Sequence, residues 1–255
     1  MDSAFRAPQL ERFSRRIKIM TLPLLISIPH AGVKIPPEVS SRCILTEEQI
    51  YEGSDAGALE IYSHLKKHVS AFVTTDIAQA IVDLNRAEDD FSPDGVIKTH
   101  TCYNVPVYSR FPDKDLCRIL LNRYYRPYHR KLTEAAKSGP ILGIDCHTMA
   151  AYGPPVGPDP GMERPLVCLG NADATCPQSW LESLAVCLSD EFQEEVAINT
   201  PFPGGHIIRH HSRELPWVQL ELSRTTKVSI EKKRDAVRQA LVMWCTTGQQ
   251  NRDCN

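Results

Sequence analysis

Two short apolar runs that each stop at a histidine constrain this chain more than any other feature. Leu24-Leu25-Ile26-Ser27-Ile28-Pro29-His30 is broken by the proline and then by Gly32, and Ile141-Leu142-Gly143-Ile144-Asp145-Cys146-His147 follows a Gly139-Pro140 stop. Runs this short and this apolar read as strands buried on both faces, the kind that parallel sheets covered by helices require. Residues 71–75, 77–84, 166–169 and 196–199 read as further strands, and Trp217-Val218-Gln219-Leu220-Glu221-Leu222 alternates as a strand does.

Between these runs lie helical patterns. Thr46 followed by Glu47-Glu48 is a helix start, and residues 55–68 continue as helix with Leu59, Tyr62 and Leu65. Residues 113–137 carry Leu116, Ile119, Leu120, Tyr124, Leu132 and Ala135 at helical spacing, with Pro127 expected to bend or divide the segment. Residues 178–192 and 226–246 are two more helices, and the Gly- and Pro-rich stretch 150–165 is a loop. Strands alternating with helices, with no repeat or compositional break, predict one α/β domain over residues 21–250: a three-layer α/β/α sandwich around a mixed, largely parallel sheet. Residues 1–20 are expected to be a peripheral segment.

Composition narrows the partners. Among 255 residues, 42% are hydrophobic and 24% charged, which excludes a disordered chain, and the net charge of −2 supplies no basic field. Neither nucleic acid nor a membrane is therefore expected as a partner. Nine cysteines occur without a CxxC pair, and several, such as Cys168 and Cys187, sit in apolar stretches. They read as small hydrophobes of a reducing compartment, so the cytoplasm is the expected location.

In α/β sheets ligands gather where loops leave the carboxyl ends of strands. His30, His147 and the Asp83-Leu84-Asn85-Arg86 run stand at such ends. Two imidazoles and one carboxylate, with Asp55 as the third donor, make the ligand set of many catalytic zinc sites, and Glu221 in an apolar strand is a candidate to take a proton from water. Each residue has a plainer reading: a hydrogen-bonded structural histidine, an N-cap at Asp55, an outward-facing glutamate. Arg86 and Arg209 suit bidentate capture of a carboxylate or, equally, surface ion pairs, and Gly204-Gly205 permits close backbone approach or an ordinary turn. His129 reads as a packing residue. There is no GxSxG elbow and no glycine-rich phosphate loop.

Seven short motifs in order resemble the N-formylglutamate amidohydrolase family: Ser27-Ile28-Pro29-His30-Ala31-Gly32, Ser54-Asp55, Asp83-Leu84-Asn85-Arg86, Pro127-Tyr128-His129, Asp145-Cys146-His147-Thr148-Met149, Gly204-Gly205 through Arg209-His210, and Gln219-Leu220-Glu221-Leu222-Ser223-Arg224. The resemblance runs from about residue 24 to residue 245. It implies a zinc-exopeptidase-like fold (phosphorylase/hydrolase-like) and one Zn2+ per chain held by His30, Asp55 and His147, with Glu221 as general base and acid. It implies substrate contacts from Asn85, Arg86, Arg209, Gly204, Gly205 and His206. Related families place a glutamate three residues after the first histidine; here that position is Val33, so the carboxylate falls to Asp55. His206 stands where an aromatic such as tyrosine is expected. The implied substrate is a small N-acyl amino acid, N-formyl-L-glutamate first, cleaved to glutamate and formate in histidine degradation. The other readings are a non-catalytic carboxylate-binding protein and a carboxypeptidase-like peptidase. Association into a homo-oligomer is left open.

Overall fold

A computed structural model describes residues 21–172 and 174–250, so the expected peripheral segment 1–20 lies outside the described residues. Six strands form one sheet: β1 (Leu22–Ile28), β2 (Val69–Thr74), β3 (Leu142–Met149), β4 (Val167–Gly170), β5 (Val196–Ile198) and β6 (Trp217–Ser223). Their order is β2-β1-β3-β6-β4-β5, and every pairing is parallel except β4 against β6. The sheet is thus mixed and largely parallel, as the apolar runs predict.

Helices cover both faces. Alternation along β1, β3 and β6 sends Leu24, Ile26, Ile144, Cys146, Leu220 and Leu222 to one face. There they pack on α2 (Ala58–Tyr62), α5 (Gln178–Phe192) and α7 (Ile230–Gln250) through Ile61, Tyr62, Leu184, Leu188, Val237 and Leu241. The opposite face, with Leu25 and Trp217, packs on α3 (Lys114–Leu120), α4 (Arg126–Ala136) and α6 (His206–His211) through Leu120, Leu132, Ile207 and Ile208. This makes three layers, and it leaves Ser27, Asp145, His147, Gln219 and Glu221 on the α4/α6 face, all buried.

Local chemistry explains most boundaries. Thr46 caps α1 (Glu47–Glu52) with a capping box closed by Gln49. Asp113 caps α3 through Leu116 N, and one wide turn, Leu121–Tyr125, joins α3 to α4. Pro127 sits in the first turn of α4 directly after this wide turn, and the backbone stays helical from Lys114 to Ala136, so the segment changes its hydrogen-bond pitch at the proline instead of dividing there.

Two expectations need correction. Residues 77–84 are not a strand. Only Ile77 and Ala78 pair, as bridges to Lys34 and Gly32, before the chain turns with Ile81 and Val82 donating to Ala78 O. The run is apolar because Ile81, Val82 and Leu84 are buried in the core, and burial alone does not demand sheet pairing. Residues 55–68 are likewise not one helix: α2 is five residues long and tightens into a 3-10 turn over Ser63–Lys67, and its N-cap is Gly57. Among the described residues the cysteines are free. No helix among the described residues is long and apolar enough to cross a membrane.

Candidate active site

His30 lies two residues past β1, where Pro29 ends the strand and the backbone turns; its carbonyl accepts from Asp55 N at 3.0 Å. His147 sits in β3, paired in register with Glu221 of β6. Three segments distant in sequence therefore meet. His30 Nδ1 and His147 Nδ1 both face Asp55 Oδ2, at 3.7 and 2.8 Å, and the three donor atoms lie within 4.8 Å of one another. All three side chains are at most about a tenth exposed. Asp55 is no helix cap; its carboxylate is spent on the histidines.

The far nitrogen of each imidazole is held by a buried carboxylate. His30 Nε2 donates to Asp83 Oδ1 and His147 Nε2 to Asp145 Oδ2, both at 2.8 Å. Such carboxylate–histidine pairs fix the ring and leave Nδ1 as the donor atom, as in metal sites. Each carboxylate is anchored in turn. Asp145 Oδ1 accepts from Ser27 Oγ at 2.6 Å, and Asp83 Oδ2 lies 2.9 Å from the buried Lys98 Nζ. Burial alone would raise Asp83, but Lys98, His30 and Arg86 hold it well below the usual carboxylate range. Burial would likewise lower His147, yet Asp145, Asp55 and Glu221 push it well above an ordinary imidazole. Carboxylates that raise the affinity of a buried imidazole for a proton also attract a metal cation. Two nitrogen donors, one oxygen donor and that field fit a borderline divalent ion of the zinc class.

Glu221 is 6% exposed and accepts from Gln219 Nε2 at 2.9 Å. Gln219 Oε1 accepts in turn from Gly205 N at 2.7 Å, so the Gly204-Gly205 loop positions the glutamine that positions Glu221. Burial pushes Glu221 up to about 8 against the opposing charge of His147. Gly205 has no room for a side chain, since a Cβ there would stand 2.3 Å from Asn85 Nδ2. Asn85 bridges the same elements: its Oδ1 accepts from Ile207 N at 2.8 Å and its Nδ2 lies 3.4 Å from His147 Nε2. Glutamate 221 therefore faces inward, not to solvent.

A cavity of about 380 Å³ opens over these groups; its walls include His30, Asp55, Asn85, His147, Gly204, Gly205 and Glu221. Four cationic side chains reach it: Arg86, Lys98, Arg164 and Arg224. Arg86 is set by Asp94, with Nη2 to Oδ2 at 2.6 Å and Nε to the carbonyl at 2.8 Å, while Lys98 also pairs with Asp94. Arg164 grips Asp159 through two nitrogens and stacks over Phe202. Arg224 Nη1 donates to the carbonyls of Glu52 and Ser54. Sequence reasoning selected Arg86 but passed over Asp83, Lys98, Asp145, Arg164, Gln219 and Arg224 as site residues. Asp83, Asp145, Gln219 and Arg224 lie inside the motif strings, so a polar residue within or beside a buried apolar run is the available signal; Lys98 and Arg164 give none. Arg209 and His206 lie elsewhere: both are on α6, outside this cavity's wall, with Arg209 Nη1 3.4 Å from Ala172 O and His206 lining a separate pocket. A larger cleft of about 560 Å³, with Lys34, Arg123, Tyr128 and Lys131, is lined by none of His30, Asp55 and His147.

The family description that matches this sequence, over residues 22–227, is N-formylglutamate amidohydrolase. The chain belongs to that family. It is thereby a hydrolase of the class that cleaves C–N bonds other than peptide bonds. It is 28% identical over 222 residues to an N-formylglutamate deformylase of Pseudomonas aeruginosa, covering 80% of this chain and 82% of that one. It is 26% identical to an N-formylglutamate deformylase of Pseudomonas putida, covering 80% and 81%. The fold is shared with the crystal structure of N-formylglutamate amidohydrolase from Ralstonia eutropha JMP134, at a TM-score of 0.75, 21% identity and coverage of 92% and 96%.

Proposed function

We propose that this chain hydrolyses the amide of a small N-acyl acidic amino acid, N-formyl-L-glutamate first, with one zinc ion held by His30, Asp55 and His147. The observation that carries this reading is the convergence of a two-histidine, one-carboxylate donor set, a buried glutamate and a group of arginines on one cavity. Zinc in that position would lower the pKa of a bound water and polarise the acyl carbonyl.

The chain's own residues do the rest. Glu221 takes the proton from the attacking water and delivers it to the nitrogen of the departing amine; its raised proton affinity suits both transfers. Gln219 keeps the carboxylate aimed. The substrate's carboxylates are received by Arg86 and Arg224, with Arg164 closing the wall, which fixes the acyl carbon beside the histidines. Asn85 offers an amide N–H to the same space. Gly204 and Gly205 let backbone approach, while Arg209 and His206 act from behind through the placement of α6.

The test is a panel of N-formyl, N-acetyl and N-succinyl amino acids on zinc-loaded protein, with metal content measured for the parent, His30→Ala and His147→Ala. Formate release from N-formyl-L-glutamate, and loss of most zinc in both variants with the fold intact, are expected. Zinc-loaded protein that cleaves none of the panel, or full zinc occupancy in both variants, would overturn the reading.

A further inference from the structure

Four of the nine histidines gather away from the candidate active site, where α4 and α6 meet. His129 stacks on His211 with ring centroids 5.2 Å apart, and His206 and His210 approach His129 edge-on, each at 5.7 Å. Two of these rings are fully engaged. His129 Nε2 donates to Leu84 O at 3.0 Å, His129 Nδ1 and His211 Nε2 lie 2.9 Å apart, and His211 Nδ1 lies 2.8 Å from Glu214 Oε2.

The other two are not. Among the described residues, neither the His206 nor the His210 ring makes a hydrogen bond. They stand one turn apart on α6, so they project on one side, with centroids 5.1 Å apart and ring planes within 29°. Both line a pocket of about 320 Å³ that Glu88 and Asp89 also line. Glu88 is committed to Arg126, whereas Asp89 is exposed and in no ion pair among the described residues.

We propose that His206 and His210 form a second cation site for a borderline divalent transition ion such as Ni2+, Cu2+ or Zn2+, in a pocket that Asp89 also lines. Imidazoles four residues apart on a helix are a chelating spacing, and nitrogen donors select these ions over Mg2+ and Ca2+, which want oxygen. One ion can bind both rings at once, and among the described residues no protein group does so. The site also joins two segments of functional weight. Asp89 follows the Asn85-Arg86 turn, α6 follows Gly204-Gly205, and the two already touch where His206 N donates to Asn85 O at 3.4 Å.

The experiment counts ions bound per chain after metal-stripped protein is equilibrated with Ni2+ and freed of excess. It compares the parent, the His206→Gln/His210→Gln double variant and His100→Gln, an exposed histidine elsewhere. The double variant should bind one ion fewer than the parent, and His100→Gln the same number. Repeating the pair in a His30→Ala/His147→Ala background should give one ion and none. The readout is a difference, so it stands whether or not the first site binds Ni2+. Equal ion counts in the parent and the double variant, with both folded by circular dichroism, would overturn the proposal.

Discussion

His147 and Glu221 stand opposite each other on adjacent parallel strands, and both side chains are buried on the same face of the sheet. The register puts the proposed metal donor and the proposed proton acceptor side by side without any loop having to carry them. A glutamine at 221 preserves the shape and its neighbours but cannot accept a proton. Glu221→Gln should retain zinc while kcat falls by about 10²–10⁴-fold, the range of general acid–base catalysis. Metal analysis and turnover on that variant decide between roles: lost zinc would make Glu221 a ligand, and unchanged turnover would make it a bystander.

Arg224 and Arg86 approach the cavity from different walls, Arg224 just past β6 and Arg86 from the turn after Asn85. Lysine at either keeps the charge and loses the planar fork. Each lysine variant should lower kcat/KM for N-formyl-L-glutamate by about one to two orders of magnitude, corresponding to roughly 1.5–3 kcal/mol for a charge-assisted bond. Steady-state kinetics with N-formyl-L-leucine assign the carboxylates: the arginine that holds the side-chain carboxylate should matter little for that substrate. Parent-like kinetics in both variants, with both substrates, would remove the pair from recognition.

Lys98 is 5% exposed, and its ammonium sits 2.9 Å from the fully buried Asp83. Removing one member of such a pair strands the other charge. Lys98→Met should destabilise the fold by about 3–5 kcal/mol. Adding Asp83→Asn should recover part of that loss, because no buried charge then lacks its partner. Urea denaturation midpoints of the two single variants and the double variant give the coupling; additive effects would mean that Asp83 and Lys98 do not act as a pair.

His129 predicts an acid limb to stability. Burial, with the neighbouring His211, His206 and His210, lowers it to about 3, far below an unfolded imidazole near 6.5. Above about pH 6.5 both states hold the ring neutral and its contribution is complete. As pH falls from there towards 3, only the unfolded chain takes the proton, so stability drops by up to about 1.4 kcal/mol per pH unit from this group. The His129→Gln variant should be less stable at pH 7 but lose less between pH 6.5 and 4. Parallel stability curves for parent and variant would show that His129 is not buried as a neutral ring.

The layers, and the end of the sheet where the candidate site lies, follow from local pattern. Strands buried on both faces must be apolar throughout, so β1, β3 and β4 were readable as runs, and β6 by its alternation. A glutamate in such a strand is costly unless it is paired or used, which marked Glu221, while position at the end of an apolar run marked His30 and His147. The same logic overreached at residues 77–84, because a residue can be buried in a core without pairing in a sheet. Tertiary structure alone decided the partners. Nothing local joins Asp55 to His147 across 92 positions, or Gly205 to Glu221 through Gln219. It also decided which arginines face the cavity: Arg209 and His206 lie on a helix, and where a helix sets its side chains depends on the layer it packs against, while Arg164 reaches the site from a glycine- and proline-rich loop with no periodicity to read. Position along the chain specifies which end of a sheet a residue reaches, and only packing specifies the direction in which its side chain points.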